Sequence, residues 1–336
     1  MFQRILFIVF SVSFYQVGIS QQSRFSFTES KMGAPFTVVF YTNDSVQANT
    51  LAKQCFRLVD SFNFIFSDYI DSSELSKLSA SAGPSSLAVK LSPALFDILL
   101  LSKKAFELSD GAFDITMGPL SKLWRKSRHE HQFPTDSTVE AIRNLTGFNK
   151  LVFDMANKTV RLPQIGMQLD LGGIAQGYIA QKTIGFLRTQ GINNALVNAS
   201  GDIVMSGAPE GKKGWVVGVN VPETTDELLS QKLILQNRAV TTSGDAYQFI
   251  EKDGIRYSHI IDPATGFGVT SQRNVTVIAA DGTTADWLAT ACSILPIKRA
   301  KRLASRLGAA VLIAEVKKGK LIFHSSKGFS FFWKHS

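Results

Sequence analysis

The order of strand-forming and helix-forming segments is the feature that most constrains the fold of this chain. Runs of β-branched and aromatic residues predict strands, such as FTVVFY at residues 36–41. Apolar residues at helical spacing predict helices, such as residues 45–67 with Ser45 as a possible N-cap. The strands arrive in groups without regular alternation with helices, which favours an α+β fold over a doubly wound parallel sheet. We therefore expect mixed sheets with packed helices, in two intimately associated subdomains. The other predicted strands are 151–153, 159–162, 195–197, 201–206, 215–221, 239–242, 257–261, 275–279, 310–316 and 321–324, and the other predicted helices are 93–109, 174–190, 283–292 and 300–307.

The first twenty residues have the features of a targeting segment. Arg4 supplies a positive charge, residues 5–14 are mainly apolar, and residues 17–20 end in small side chains that suit cleavage before Gln21. The segment is too short for a stable membrane span, and no cysteine follows it to carry a lipid anchor. We therefore predict a signal peptide at residues 1–20 and an exported mature protein that forms one domain over residues 21–336. In a bacterium this location is the periplasm.

The composition is that of a globular protein with a basic surplus. Of the 336 residues, 45% are hydrophobic and 25 are phenylalanine, which argues against a disordered chain. The formal charge is +9, and part of the surplus lies at residues 122–128. Such a surplus could attract phosphorylated small molecules, anionic lipids or nucleic acid, or it could be a solvated surface. Because no aromatic residues interleave with a basic stripe, we do not expect a nucleic-acid partner.

The chain has two cysteines, Cys55 and Cys292, and each lies in an apolar segment with helical spacing. Export would permit a disulfide. The apolar surroundings favour two buried free thiols instead, because buried cysteine often behaves as a small hydrophobic residue. No group of histidines and cysteines has the spacing of a zinc site.

Residues 283–290, with the sequence TTADWLAT, are the first candidate for a functional site. Asp286 and Thr290 are four residues apart in a predicted helix, so their side chains share one face. A carboxylate and a hydroxyl are hard oxygen donors that suit a Mg²⁺ ion with further positions for water and phosphate oxygens. The structural alternative is a helix start, with Thr283 or Thr284 as N-cap, Asp286 as a first-turn acid and Thr290 bonded back to the helix.

Four other segments are richer in Gly, Asp, Thr, Ser and His than a core requires. In residues 169–178 a predicted strand turns through two glycines into a helix, and such a turn can present free N–H groups to phosphate. In residues 241–245 hydroxyl and amide groups could also donate to phosphate, although a simple turn is an equal explanation. His259 is the only one of five histidines among these segments, so it is either a structural histidine or the preferred proton-transfer group. The remaining segments are 110–119 and 198–202, and residues 257–263 follow the 241–245 segment closely.

Together these segments resemble the ApbE family of flavin transferases, the FAD:protein FMN transferases. The resemblance extends over residues 36–328 and keeps the order of the family motifs. GAFDITMGPLSKLW resembles GAFDxTxGPLxxLW, and LDLGGIAQGYIAQK resembles DLxGIAKGYAVD. TTSGDAYQFIEKDGIRYSHIIDPATG resembles ATSGDYxxxxxxxGxxYSHIIDPxTG, and VTVIAADGTTADWLATA resembles VTVxAxxxxxADALATA.

The resemblance implies an ApbE-like fold and a site that holds FAD as substrate with its pyrophosphate on Mg²⁺. The implied metal ligands are Asp286, Thr290 and the backbone carbonyl of Gly173. His259 falls on the histidine of the SHIIDP motif, near the flavin phosphate. The sequence departs from the motifs at Gln176, where lysine is usual, and at Trp287, where alanine is common. The implied flavin or adenosine contacts are Met32, Tyr69, Ala112, Phe113, Asp114, Asp170, Gln176 and Ile260.

The function implied by the resemblance is transfer of FMN from FAD to a threonine of an acceptor flavoprotein, with release of AMP. His259 is the first candidate to accept the proton of the acceptor hydroxyl, and Asp286 or Asp262 is the second. The alternatives are an FAD pyrophosphatase that yields FMN and AMP, and a flavin-binding protein without catalysis. The implied acceptors are exported flavin subunits of membrane electron-transfer complexes, so membrane contact is expected only through the acceptor.

Overall fold

The computed structural model describes residues 22–219, 229, 231–244 and 248–333, so the predicted signal peptide lies outside it. Within these residues strands and helices follow one another in groups, and the predicted α+β class is confirmed. No helix in this part of the chain has both the length and the apolar character that crossing a membrane requires. The strands are β1 (Ser23–Lys31), β2 (Ala34–Thr42), β3 (Val89–Lys90), β4 (Val152–Asp154), β5 (Thr159–Arg161), β6 (Ala195–Ala199), β7 (Asp202–Ser206), β8 (Trp215–Val217), β9 (Leu233–Leu235), β10 (Ala239–Gly244), β11 (Phe249–Lys252), β12 (Ile255–Ser258), β13 (Arg273–Ala279), β14 (Ala310–Lys317) and β15 (Lys320–Ser325). The α-helices are α1 (Ser45–Phe66), α2 (Glu74–Ala80), α3 (Pro93–Leu108), α4 (Gly118–Glu130), α5 (Asp136–Arg143), α6 (Ala175–Thr189), α7 (Gly282–Ile294) and α8 (Ile297–Arg306).

The centre of the fold is an eight-stranded sheet with the order β1-β2-β6-β7-β10-β13-β14-β15. All of its neighbouring strands are antiparallel. Helices α1, α6 and α7 pack against this sheet, and α6 and α7 also contact each other. The smaller sheets are β3-β5-β4, β8-β9 and β11-β12.

Both faces of the central strands of the large sheet are buried, whereas the edge strands β1 and β15 are largely exposed. In β13 the side chain of Val277 belongs to the main core beneath the helices, whereas Ile278 belongs to a second apolar cluster on the other face. Trp215 of β8, Leu233 of β9 and Phe329 cover that second face. A strand that is buried on both sides needs apolar residues at consecutive positions, which explains continuous runs such as VTVIAA.

The two cysteines are buried free thiols, as the sequence predicts. Cys55 lies in α1 and Cys292 lies in α7. Burial raises the pKa of each thiol to about 12, so both remain protonated at neutral pH and act as small apolar core residues.

The starts of two helices differ from the sequence expectation. Helix α1 is capped by Asp44 rather than Ser45. Helix α7 is capped by Asp281, whose Oδ1 accepts the N–H of Thr284 at 2.8 Å, so neither Thr283 nor Thr284 is the N-cap. In both helices the aspartate before the predicted cap has the extended backbone and the short carboxylate that N-capping requires.

Two predicted strands end earlier than expected. The strand predicted at residues 257–261 ends at Ser258, because the Ser258 hydroxyl accepts the N–H of Ile260 at 3.1 Å and the chain turns there. The strand predicted at residues 215–221 ends at Val217, and its last two residues lie outside the described part of the chain. His259 therefore lies in a turn rather than in a strand.

The sequence pattern does not predict α4 or α5. Residues 122–128 belong to α4, although the basic stretch that contains His129 and His131 reads as a loop in the sequence. His129 lies in the last turn of α4, and His131 ends the helix with a left-handed backbone (φ 53°). Charged residues outnumber apolar ones along this helix, so its apolar stripe is too narrow to stand out in the sequence.

Two glycines allow α6 and α7 to approach each other without intervening side chains. A Cβ atom added to Gly177 would overlap the carbonyl oxygen of Gly282 and lie 2.7 Å from the Asp286 Cβ. A Cβ atom added to Gly282 would overlap the carbonyl oxygen of Gly177 and lie 2.5 Å from a methyl carbon of Val204. This contact brings the first turn of α6 against the first turns of α7, and the candidate site is built there.

We predict that Gly177→Ala lowers the free energy of unfolding by about 1–3 kcal/mol, because the added methyl group forces two backbones apart. The matched control is Gly185→Ala in the same helix, where an added Cβ would meet no atom within 4 Å. The control should raise stability by about 0.5–1 kcal/mol, as expected for Gly→Ala in a helix. Urea denaturation of both variants makes the comparison, and equal effects at the two positions would contradict this account of the helix contact.

Candidate active site

A cavity of about 390 Å³ collects residues from all five polar segments that the sequence singles out. Its walls come from the loops after α3 and before α6, from the ends of β7, β10 and β12, and from α4 and α7. Two predicted residues, Met32 and the alternative base Asp262, are not among the described residues of the lining. Met32 lies in the turn between β1 and β2 and packs against the main core. The predicted residues that do line the cavity are Tyr69, Ala112, Phe113, Asp114, Asp170, Gly173, Gln176, His259, Ile260, Asp286 and Thr290.

The helix α7 directs Asp286 and Thr290 into this cavity from successive turns. Asp286 is only 5% exposed, and its Oδ2 accepts the N–H of Gly177 at 2.9 Å. The Thr290 hydroxyl forms no hydrogen bond in the described part of the chain. By contrast, the Ser293 hydroxyl in the same helix donates to the carbonyl oxygen of Ala289 at 3.0 Å. The alternative that Thr290 is bonded back to its own helix is therefore wrong.

Asp202 is a second buried carboxylate in the lining of the cavity. Its Oδ1 accepts the hydroxyl proton of Thr241 at 2.6 Å, yet burial raises its pKa to about 7. Burial also raises the pKa of Asp286 well above its usual value, the negative charge of Asp202 raises it further, and the Gly177 N–H acts in the opposite direction. Neither carboxylate forms an ion pair with a described Lys, Arg or His, so their charges are left for a ligand to balance.

The oxygen donors at this end of the cavity fit a hard divalent cation. The backbone at Gly173 approaches so closely that an added Cβ would lie 3.0 Å from the Thr290 Oγ1. Carboxylate, hydroxyl and carbonyl oxygens suit Mg²⁺, which keeps several positions for water and phosphate. In the described residues no group of three His, Cys, Asp or Glu side chains could hold a metal ion.

The loop of residues 170–174 forms the wall next to these donors. The backbone N–H of Asp170 donates to the carbonyl oxygen of Ile115 at 2.8 Å, and its Oδ1 accepts the N–H of Gly172 at 2.8 Å. Helix α6 then begins without a side-chain cap, and of the N–H groups of its first turn that of Ala175 donates to the carbonyl oxygen of Leu171 at 2.9 Å. One of these N–H groups, that of Gly177, binds Asp286, and Gln176 faces the cavity.

The segment GAFDIT supplies an apolar wall and a rigid turn. Ala112 and Phe113 are buried. The Asp114 Oδ1 accepts hydrogen bonds from both the backbone N–H and the hydroxyl of Thr116 at 2.7 Å. Trp287, which stands where the family motif has alanine, packs with its ring 6.2 Å from the ring of Phe113 and so supports this wall.

His259 reaches the cavity from the turn after β12. Its backbone N–H donates to the carbonyl oxygen of Gln248 at 2.8 Å, and its Nδ1 lies 3.3 Å from the same oxygen. Because a carbonyl oxygen only accepts, Nδ1 carries the proton and Nε2 keeps a free lone pair. Burial lowers the pKa of His259 to about 4, and the positive charge of Arg128 adds to this effect, so the ring is neutral at pH 7.

Helix α4 contributes cavity residues that were not predicted from the sequence. Trp124 is buried, and its Nε1 donates to the carbonyl oxygen of Gly266 at 2.8 Å, which ties the turn after His259 to the helix. Arg125 pairs with both Asp68 and Asp170. The spacing of the four lining residues Ser121, Trp124, Arg125 and Arg128 is the sequence signal that could have revealed this wall.

Tyr69 extends the site at its rim. Its ring is 76% exposed and lies 4.3 Å from the guanidinium carbon of Arg125, which is the geometry of a cation–π contact. The exposed ring offers a stacking surface at the mouth of the cavity. Arg125 also pairs with Asp68, the residue before Tyr69, and this ion pair helps to hold the ring in place.

Comparison with known proteins gives a consistent assignment. Residues 32–313 match the sequence model of the ApbE family. The FAD:protein FMN transferase of Klebsiella pneumoniae (strain 342) is 31% identical over 269 residues, which are 80% of this chain and 81% of that protein. The FAD:protein FMN transferase of Treponema pallidum (strain Nichols) is 32% identical over 271 residues, which are 76% of this chain and 74% of that protein.

Solved structures agree with these sequence matches. The flavin transferase ApbE from Vibrio cholerae has a TM-score of 0.81 and 27% identity, and the match covers 93% of this chain and 99% of that one. The ApbE protein from Thermotoga maritima has a TM-score of 0.83 and 29% identity, with 93% and 100% covered. The family model matches most of this chain, and its relatives are named transferases. This chain is therefore a transferase that belongs to the ApbE family.

Proposed function

We propose that this protein transfers the FMN moiety of FAD to a threonine of an acceptor flavoprotein in a Mg²⁺-dependent reaction. The transfer forms a phosphoester bond and releases AMP. The main support for the proposal is that one cavity is lined both by the oxygen donors Asp286, Thr290 and Gly173 and by the predicted flavin contacts. The relatives named FAD:protein FMN transferase support FAD as the substrate.

The cation end of the cavity supplies charge stabilisation. Asp286, Thr290 and the carbonyl group of Gly173 would hold Mg²⁺, which neutralises negative charge on the pyrophosphate when it is bound. The Gly177 N–H fixes the Asp286 carboxylate, and the free Thr290 hydroxyl points into the same space. Residues that are already positioned do not have to reorganise during the reaction, and such preorganisation is a large part of catalysis in phosphoryl transfer.

His259 is the group that we propose to accept the proton of the acceptor threonine. The threonine Oγ attacks the FMN-side phosphorus, the bond from that phosphorus to the oxygen of AMP breaks, and the hydroxyl proton passes to Nε2 of His259. The Nδ1 contact with Gln248 leaves Nε2 unprotonated and available. Asp262, an alternative base, is not among the described residues of the lining, and its Oδ1 accepts the N–H of Ala264 instead.

The proposed site of action is outside the cytoplasm. A signal peptide at residues 1–20 would export a single catalytic domain, residues 21–336, to the periplasm. The acceptor would then be an exported flavoprotein subunit that carries a threonine motif. Membrane contact would arise only through the complex that contains the acceptor.

The decisive assay combines the purified mature protein, FAD, Mg²⁺ and an acceptor that carries a threonine flavinylation motif. We expect covalent flavin on the acceptor, detected by mass spectrometry as an added FMN, together with one AMP per transfer. FMN and AMP without a labelled acceptor would identify an FAD pyrophosphatase instead. Binding of FAD without either product would identify a non-catalytic flavin protein and contradict the proposal.

The metal ligands can be tested by direct binding of Mg²⁺ or Mn²⁺. We predict that Asp286→Asn weakens cation affinity at least tenfold, and that Thr290→Val weakens it by a smaller factor, because a carboxylate contributes charge and a hydroxyl only a dipole. Calorimetry with the metal alone measures both effects. The control is Ser293→Ala, which removes a hydroxyl that is bonded within the same helix. Unchanged affinity in Asp286→Asn would exclude this cation site.

The role of His259 can be tested by the pH dependence of kcat/KM, which reports ionisations in the free enzyme. The pKa of His259 is lowered to about 4, so at saturating Mg²⁺, which would keep Asp286 ionised, the loss of activity caused by protonation of His259 should come only as pH drops through about 4. We predict that His259→Gln lowers transfer roughly 10²–10⁴-fold with FAD affinity nearly unchanged. The control His129→Gln alters an exposed histidine. Full transfer activity in His259→Gln would remove it as the base.

A further inference from the structure

Helix α4 divides its basic residues between solvent and the cavity. Lys122 and Lys126 are exposed. Arg125 and Arg128 are half-buried and line the cavity, where they follow Ser121 and Trp124 at helical spacing. The basic surplus that the sequence shows at residues 122–128 is therefore partly a wall of the candidate active site and only partly a solvated surface.

The two arginines of this wall differ in their partners. Arg125 is neutralised by Asp68 and Asp170, and it stacks on Tyr69. Arg128 forms neither a hydrogen bond nor an ion pair with any residue that the structure describes. It is thus a cavity-lining cation whose guanidinium donors have no acceptor among the described residues.

Arg128 lies close to the other arginine of the wall and to His259. Burial lowers the pKa of Arg128, and the neighbouring Arg125 lowers it further, while Tyr69 acts weakly in the opposite direction. Arg128 in turn is near enough to His259 to lower the pKa of that ring. An anion between the guanidinium and the imidazole would oppose both effects, because it stabilises the charged form of each group.

We propose that Arg128 is a substrate-binding residue that takes a phosphate oxygen of the dinucleotide beside His259. The planar guanidinium presents paired N–H donors that match two oxygens of a phosphate group. The size of the cavity suits a small molecule rather than a folded protein segment. The inference rests on the proposed function, in that it requires FAD to bind in this cavity.

The test compares ligands with and without a phosphate group. Arg128→Gln should bind FAD about tenfold more weakly than the wild-type protein, since a charge-assisted hydrogen bond is lost. Affinity for riboflavin and adenosine, which lack phosphate, should not change. FMN and AMP separate the two possible sources of the phosphate, because only the one whose phosphate occupies this position should lose affinity. Calorimetry in Mg²⁺ at fixed ionic strength gives all five dissociation constants.

Two further variants keep the test independent of folding. Lys122→Gln removes the same charge from the exposed side of α4 and should leave FAD affinity unchanged. Arg128→Lys keeps the charge but loses the paired donors, so it should recover part of the affinity and serves as the readout if Arg128→Gln does not fold.

The outcomes separate this inference from the proposed function. Equal FAD affinity in wild-type and Arg128→Gln proteins overturns the role of Arg128 and leaves the transferase proposal intact. An equal loss for riboflavin or adenosine also overturns it, because the residue would then contact a ring and not a phosphate. A wild-type protein that does not bind FAD overturns both.

Discussion

The contact between Gly177 of α6 and Gly282 of α7 is the constraint on which the candidate site depends. Because neither residue has a side chain, the two helices come close enough for the Gly177 N–H to bind the Asp286 carboxylate. The same approach brings the backbone of Gly173, just before α6, against the hydroxyl of Thr290, one turn further along α7. A larger residue at either glycine would separate three oxygen donors that come from segments more than a hundred positions apart in the chain.

Charge is distributed unevenly around the cavity, and each part has a physical reason. Asp202 and Asp286 are buried carboxylates, and burial raises the pKa of both while the charge of Asp202 raises that of Asp286 further. In the proposed function a bound cation would offset their negative charge when both are ionised. Asp170 is balanced by Arg125 and acts as part of the wall. Arg128 has no anionic partner among the described residues, and the neutral ring of His259 lies within the influence of both Arg128 and Asp170. In the proposed function a central diphosphate would meet the carboxylates through a bound cation and Arg128 through the guanidinium.

Local patterns in the sequence predicted the oxygen donors Asp286 and Thr290 but not the arginines of α4 that line the cavity. Asp286 and Thr290 are four residues apart in one helix, so their shared face follows from helix geometry alone. Arg125 and Arg128 have the same kind of spacing, but their helix is so highly charged that its pattern resembles a solvated loop. Asp202 joins Asp286 only because β7 and β10 pair in the large sheet, and no local rule predicts that pairing. The motifs identified the segments that line the cavity, whereas the contacts of each side chain could be identified only from the tertiary structure.

The state of the Thr290 hydroxyl shows why those partners matter for chemistry. A threonine in the middle of a helix usually satisfies its hydroxyl on the preceding turn, as Thr183 does with the carbonyl oxygen of Ile179 at 2.8 Å. Thr290 has the carbonyl oxygen of Asp286 in the equivalent position, but its hydroxyl forms no hydrogen bond with the described residues. A hydroxyl that donates to its own helix keeps its lone pairs but has a fixed orientation, whereas an unbonded hydroxyl can turn its oxygen toward a ligand. The sequence shows a hydroxyl on the right face, and only the structure shows that it is available.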